Sequence, residues 1–192
     1  MSEKLDRRKQ YTRMVLKDGL VSLLKEKPLA NITIKEICER ADINRSTFYS
    51  HYNDQYDLLD KIEAEIIAEL YDTLNDYNLV NREESIKMTQ RLIEYVATKN
   101  EICEILLSDH SGHRFQSTAI NLTQQFIVKK WTYETDTDNE QLQYVTTFVI
   151  NGGLQVIKRW LANGMKESPE EMAFLINKFT NGGLSSILNY DD

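Results

Sequence analysis

Residues Ile32–Leu59 read ITIKEICERADINRSTFYSHYNDQYDLL, and their reading decides the fold. In ITIKEI, Thr33 is followed three residues later by Glu36. A threonine at a helix start can accept the free amide of the third helical residue, and a glutamate there can reach back to the threonine N–H. Ile32 and Ile37 flank this capping box at the positions of a hydrophobic staple. The spacing predicts a short helix from about Ile34 to Arg40. In the turn ADIN, Asp42 tolerates a left-handed backbone better than most residues. Asn44 is a good cap for a second short helix. Ile43 before that cap and Phe48 four residues after it form a second candidate staple. The prediction is helix, tight turn, helix, with Ile34, Ile37, Ala41, Ile43 and Phe48 inside.

The outer side of the second helix has a different composition. Helical periodicity points Ser46 and Ser50 away from Phe48, with Thr47 and Tyr49 flanking them. Arg45 lies in the first turn, where a long side chain can reach outward. One side of this helix supplies the core, and the other displays hydrogen-bonding groups.

Upstream, Leu16, Leu20, Leu23 and Leu24 recur at the spacing of an amphipathic helix. Pro28 stops it, because the residue before a proline is pushed out of helical geometry. Downstream, Asn53 or Asp54 can cap a long helix carrying Leu58, Ile62, Ile66 and Leu70 at every fourth position. NREESI restarts a helix through RLIEYVA, and Asn100 can cap EICEILL. SDHSGH reads as a loop, Phe115–Trp131 as a helix and TYETDTDNEQ as a polar connection. The segments 140–163 and 169–188 read as long helices. SPEE between them is a start signal: Ser168 as cap, Pro169 in the first position, Glu171 in the third. No segment alternates well enough for a strand, so the fold class is all-α, with about nine helices.

The 192 residues include only two prolines and seven glycines, which favours long helices. No apolar run approaches the ~18 residues needed to span a membrane. The charged start MSEKLDRRKQ lacks the apolar middle of a signal peptide. Cys38 and Cys103 build neither a disulfide framework nor a zinc pattern, so a reduced, cytoplasmic setting is expected. Residues 1–52 hold 11 Lys+Arg against 7 Asp+Glu, whereas the remainder holds 12 against 23. Such an asymmetry hints at a nucleic-acid contact near one end.

NGGL occurs twice, at Asn151–Leu154 and Asn181–Leu184. A glycine inside a helix costs about 1 kcal/mol relative to alanine, so these need a compensating gain. For the first pair, where VIKRWL continues an apolar stripe, close packing of another helix is the expected gain. For the second, a helix end or kink would serve as well. The hypothesis is that the last two helices pair with their counterparts in a second chain.

The quoted stretch resembles the helix-turn-helix of the TetR family of bacterial transcriptional regulators. The resemblance rests on Thr33, Ile37, Ala41, Ile43, Thr47-Phe48-Tyr49, His51-Tyr52 and Leu58-Leu59. It is strong over the first third of the chain. Beyond that the layout agrees, and GGLQVIKRWLANGMKESPEEM looks like the penultimate helix and following turn of many members. The resemblance implies a DNA-binding domain over residues 1–53 and a larger helical ligand-binding and dimerisation domain over 54–192. It implies a homodimer through the last two helices, a palindromic double-stranded DNA operator, and a small-molecule effector that relieves repression. No residue is assigned to the effector, and no cofactor is expected.

By matching positions, the resemblance implies that Thr33 and Lys35 lie near the phosphate backbone, with a base also within the reach expected of Lys35. It implies that Arg45 and Ser46 face base edges. Arginine can pair bidentately with guanine. Thr47 and Tyr49 are expected to bind phosphate through their hydroxyls, Ser50 to face the groove, and His51 to contact the backbone. Two positions depart from the family pattern. Asp42 stands where many members carry glycine, and Gln55 where many carry a phosphate-gripping lysine.

Other chemistries fit less well. His110 and His113, with Asp109 and Cys103 nearby, match no zinc spacing, and no metal site is expected. Cys103 with either histidine lacks a supporting catalytic motif, so no enzyme is expected. Tyr71, Tyr77, Tyr95, Phe115, Phe126, Tyr144 and Phe148 could line a pocket, but aromatics at helical spacing usually belong to the core. The alternative function is a helical protein-interaction module, or a co-regulator acting through a partner protein with weak or no DNA binding of its own. Gln55 fits that alternative.

Overall fold

A computed structural model of the chain describes residues 2–75, 82–108, 114–132 and 139–188. Among these residues there are nine α-helices and no strand. They are α1 (Ser2–Leu24), α2 (Ile34–Ala41), α3 (Arg45–Tyr49), α4 (Gln55–Asn75), α5 (Arg82–Thr98), α6 (Asn100–Leu107), α7 (Arg114–Thr132), α8 (Asn139–Ala162) and α9 (Pro169–Leu188). A single 3-10 turn, Leu29–Asn31, follows Pro28. The expected all-α class and the main boundaries hold.

The helix starts form for the reasons the spacing suggested. Glu36 N–H donates to Thr33 Oγ1 at 3.3 Å, and Thr33 N–H donates to Glu36 Oε2 at 2.9 Å. Ser168 and Glu171 repeat the same box at α9. At α4, Asp57 N–H donates to Asp54 Oδ1 at 2.8 Å, so Asp54 is the cap. Asn100 differs from its expected role. Cys103 N–H already reaches Lys99 O at 2.9 Å, so the helical bonding starts one residue earlier. The Asn100 carboxamide accepts from Glu101 N–H instead.

Chain packing divides into two compact units: residues 1–66 with 105–115, and residues 67–104 with 116–192. In the first, α1 packs on α2 and α2 on α3. Leu16, Leu20, Ile37, Phe48 and Leu58 are fully buried there. The expected inside residues Ile34, Ala41 and Ile43 are only half-buried. They lie at the ends of short helices, where one turn of neighbours is missing. Cys38 and Tyr52, not foreseen as core, are buried in their place. Gly19 lets α1 approach α2 closely: a Cβ there would stand 3.3 Å from Ile37 O.

In the second unit α5 packs along α9, with Ile93, Met172 and Ala173 buried. The α8–α9 corner closes on Gly164, whose φ of 76° suits glycine. Met165 N–H bonds Trp160 O and Gly164 N–H bonds Leu161 O, both at 2.9 Å. This is the paired closure of a Schellman motif. Trp160 Nε1–H donates to Glu167 O at 3.0 Å and pins the turn.

The aromatics correct one expectation. Phe115 is buried and Tyr95 half-buried, but Tyr71, Tyr144 and Phe148 are exposed. Tyr144 and Phe148 stand one turn apart on α8, on a side that faces away from this chain's own core. Tyr77 and the Phe126 side chain fall outside the described residues, as do SDHSGH from Asp109 onward and most of the polar connection after α7. The backbone of α9 runs through the second NGGL as continuous helix. At Gly152 and Gly153 an added Cβ would meet nothing within 4 Å, so none of the described residues explains them.

Candidate nucleic-acid interface

The α2–α3 corner is held by backbone closure. Asp42 takes the left-handed conformation, φ 51° and ψ 45°. Ile43 N–H bonds Cys38 O at 2.9 Å and Asp42 N–H bonds Glu39 O at 3.4 Å. This is again the Schellman pattern, with aspartate in the usual glycine position. Asn44 Oδ1 then accepts Ser46 N–H at 3.0 Å and starts α3.

Two cations tie α2 to the end of α1 and to the turn that follows it. Lys27 reaches Glu36 at 2.5 Å. Arg40 reaches Ser22 Oγ at 2.6 Å and Glu26 at 2.9 Å. The Lys27 contact, followed by the two from Thr33, holds the Glu36 carboxyl down at about 2. At the far end, Asp57 accepts from Asn53 N–H at 2.9 Å and pairs with Lys61 at 3.2 Å. The Asn53 hydrogen bond, then Lys61, lowers its pKa. Lys61 Nζ also lies 5.3 Å from the Tyr52 ring centroid. Residue-by-residue matching overlooked this Asn53–Asp57–Lys61 brace, although the carboxylate in the third helical position was its signal.

α3 is buried through Phe48, with Tyr49 edge-on to it at 5.7 Å. The remaining candidate residues divide into three groups. Arg45 and Tyr49 are exposed, and Arg45 makes no ion pair among the described residues. Lys35 is exposed and 3.6 Å from Glu39, a solvent-facing contact worth little. The hydroxyls of Thr33, Ser46 and Ser50 are engaged locally. Thr33 serves the capping box, Ser46 donates to Asn44 Oδ1 at 3.2 Å, and Ser50 donates to Thr47 O at 2.6 Å. These hydroxyls keep lone pairs but little freedom to donate outward. Thr47 and His51 are half-buried. Burial lowers the His51 pKa, with Arg13 and then Lys9 adding to it.

The description "Bacterial regulatory proteins, tetR family" matches residues 18–62, and "Transcriptional regulator C-terminal region" (TetR_C_8) matches residues 83–182. The chain belongs to the TetR family.

One TetR relative is the uncharacterized HTH-type transcriptional regulator YxbF of Bacillus subtilis (strain 168), 33% identical over 104 residues. The match covers 52% of this chain and only 27% of that protein's length. A TetR transcriptional regulator from Streptococcus agalactiae 2603V superposes with a TM-score of 0.67 at 20% identity, covering 94% of this chain and 99% of that one. FadR of Bacillus subtilis, in complex with stearoyl-CoA, superposes at 0.65 with 12% identity, covering 87% and 96%. Likeness at such identities establishes the TetR fold.

Burial pushes the Cys103 thiol up to about 12, so it stays protonated and is a poor nucleophile. Among the described residues no three His, Cys, Asp or Glu gather as metal ligands; Asp109, His110 and His113 lie outside that set. No described helix is long and apolar enough to cross a membrane.

Proposed function

We propose that this TetR-family chain binds a palindromic operator as a homodimer and represses transcription until a small-molecule effector releases it. One observation carries the DNA reading. α3 is anchored by Phe48 while Arg45 and Tyr49 stand exposed on its free side, Arg45 unpaired among the described residues. On this reading residues 1–53 read DNA and residues 54–192 bind effector and partner subunit. Arg45 and Ser46 address base edges. Thr33, Lys35, Thr47, Tyr49 and His51 address the phosphate backbone, and Ser50 lies at the groove wall. Phosphate contacts set register, while base contacts carry sequence preference.

The homodimer reading draws on the α8–α9 face. Phe148, Phe174 and Phe179 are 81%, 66% and 75% exposed. Phe148, Gly152, Gly153, Val156, Leu175 and Phe179 line an apolar groove of about 310 Å³. Contiguous exposed apolar surface marks an interaction site, and glycines let a second backbone come close. Two chains joined there supply the two recognition helices that a dimeric reader places about 34–36 Å apart. An effector releases DNA if it binds better to a conformation with the wrong spacing. The stearoyl-CoA held by the FadR relative supports a small-molecule effector. The free thiols Cys38 and Cys103 suit a reducing cytoplasm.

The test is selection of binding sites from a random duplex pool, then titration of the winner at about 50 and 200 mM salt, a range over which phosphate contacts lose much of their strength. A palindromic winner with steeply salt-dependent binding supports the proposal. No enriched sequence and a flat salt response would favour the protein-interaction alternative.

A further inference from the structure

The buried stripe of α1 continues past the end of its core. Lys9 lies seven residues before Leu16, and Arg13 seven before Leu20. Seven residues are nearly two full turns, so each cation lies about 20° from the direction of its leucine. Leu16 and Leu20 are fully buried, whereas Lys9 and Arg13 are exposed. The face that packs into the unit therefore emerges from it as a cationic pair one turn apart.

We infer that Lys9 and Arg13 form a phosphodiester clamp, beside His51 at the C-terminal end of α3, that grips the operator backbone.

Three observations support the clamp. Lys17, one turn after Arg13, pairs with Glu65 of α4, and Lys61, one turn before Glu65, lies 5.3 Å from the Tyr52 ring centroid at the end of α3, so the α1 face that carries Arg13 borders the end of the recognition helix, and the influence of Arg13 and Lys9 on the His51 pKa agrees with this. Neither cation makes an ion pair among the described residues. The carboxylates acting on Tyr52 are engaged elsewhere: Glu65 with Lys17, and Asp57 with Lys61 and Asn53. The start of α4 offers no replacement. Its first turn is Gln55, Tyr56 and Asp57, and the Asp57 carboxylate repels a phosphate. Two unpaired cations of like charge on adjacent turns also repel each other, and a shared polyanion relieves that repulsion.

This inference rests on the DNA-binding reading, and one experiment separates the two. The selected operator and an unrelated duplex are titrated with wild type, Lys9→Ala/Arg13→Ala and Lys166→Ala across a salt series. Lys166 is an exposed cation of the other unit. The clamp predicts weaker binding of the double variant to both duplexes, with a salt slope shallower by about two per bound chain. The Lys166 variant should keep the wild-type slope, and Lys9→Arg/Arg13→Lys should restore it. Thermal melts should coincide, since both residues are exposed. A steep wild-type slope retained by the double variant overturns the clamp and leaves the DNA reading intact. Wild type binding no duplex at low salt overturns both.

Discussion

The α2–α3 corner and the α8–α9 face are both display surfaces, built in opposite ways. At the corner every backbone turn is closed, three hydroxyls are spent on local bonds, and Phe48 fills the core. What is left outward is polar and cationic. On α8–α9 the helices are regular and the outward groups are phenylalanines over an open groove. A rigid polar surface suits a hydrated polyanion, whose recognition depends on where donors point. An apolar surface with helical glycines suits a partner that gains by excluding water.

The largest effect should come from removing the anchor of the corner. Phe48→Ala should cost about 3–5 kcal/mol of stability, read as a lower denaturant midpoint, together with loss of operator binding. A small cost would mean that α3 is held chiefly by its caps. At the other surface, Phe148→Asp should weaken self-association by about 2 kcal/mol or more while leaving the corner folded. Light scattering at micromolar concentration would read it, and an unchanged mass, or a wild type that is already monomeric, would remove α8–α9 as the partner face. Within the polar surface, Arg45→Ala should shift base preference by about 1–3 kcal/mol, whereas Tyr49→Phe should weaken all duplexes alike. Equal effects on every operator variant would contradict that sorting.

Smaller changes probe how the corner is closed. Asp42→Gly should stabilise the chain by about 1 kcal/mol, because a non-glycine residue at φ 51° carries the strain of left-handed geometry. The smallest effect concerns acid. The Glu36 pKa, held at about 2 against a reference of 4.5, adds stability that is fully present above 4.5 and lost as pH falls toward 2. Glu36→Gln should flatten that part of the acid titration curve of stability.

What was legible in the sequence was local. Thr33 with Glu36 and Ser168 with Glu171 announce their helix starts because a cap and its partner lie three residues apart. Asp42 and Asn44 announce the corner in the same way. The exposed aromatics of α8 were not legible. Tyr144 and Phe148 have helical spacing whether or not another element of the chain lies against them. The division of polar groups between capping and display was also hidden, since Ser46 could equally have pointed its hydroxyl outward.

The sequence by itself therefore determined the helices, the helix-turn-helix and the TetR family, because periodicity and capping act over a few residues. The tertiary structure decided which faces were left uncovered. It paired Lys17 of α1 with Glu65 of α4, 48 residues away along the chain. It turned Phe148 and Phe179 outward around one groove. Burial is a property of what packs opposite, and no residue carries that information alone.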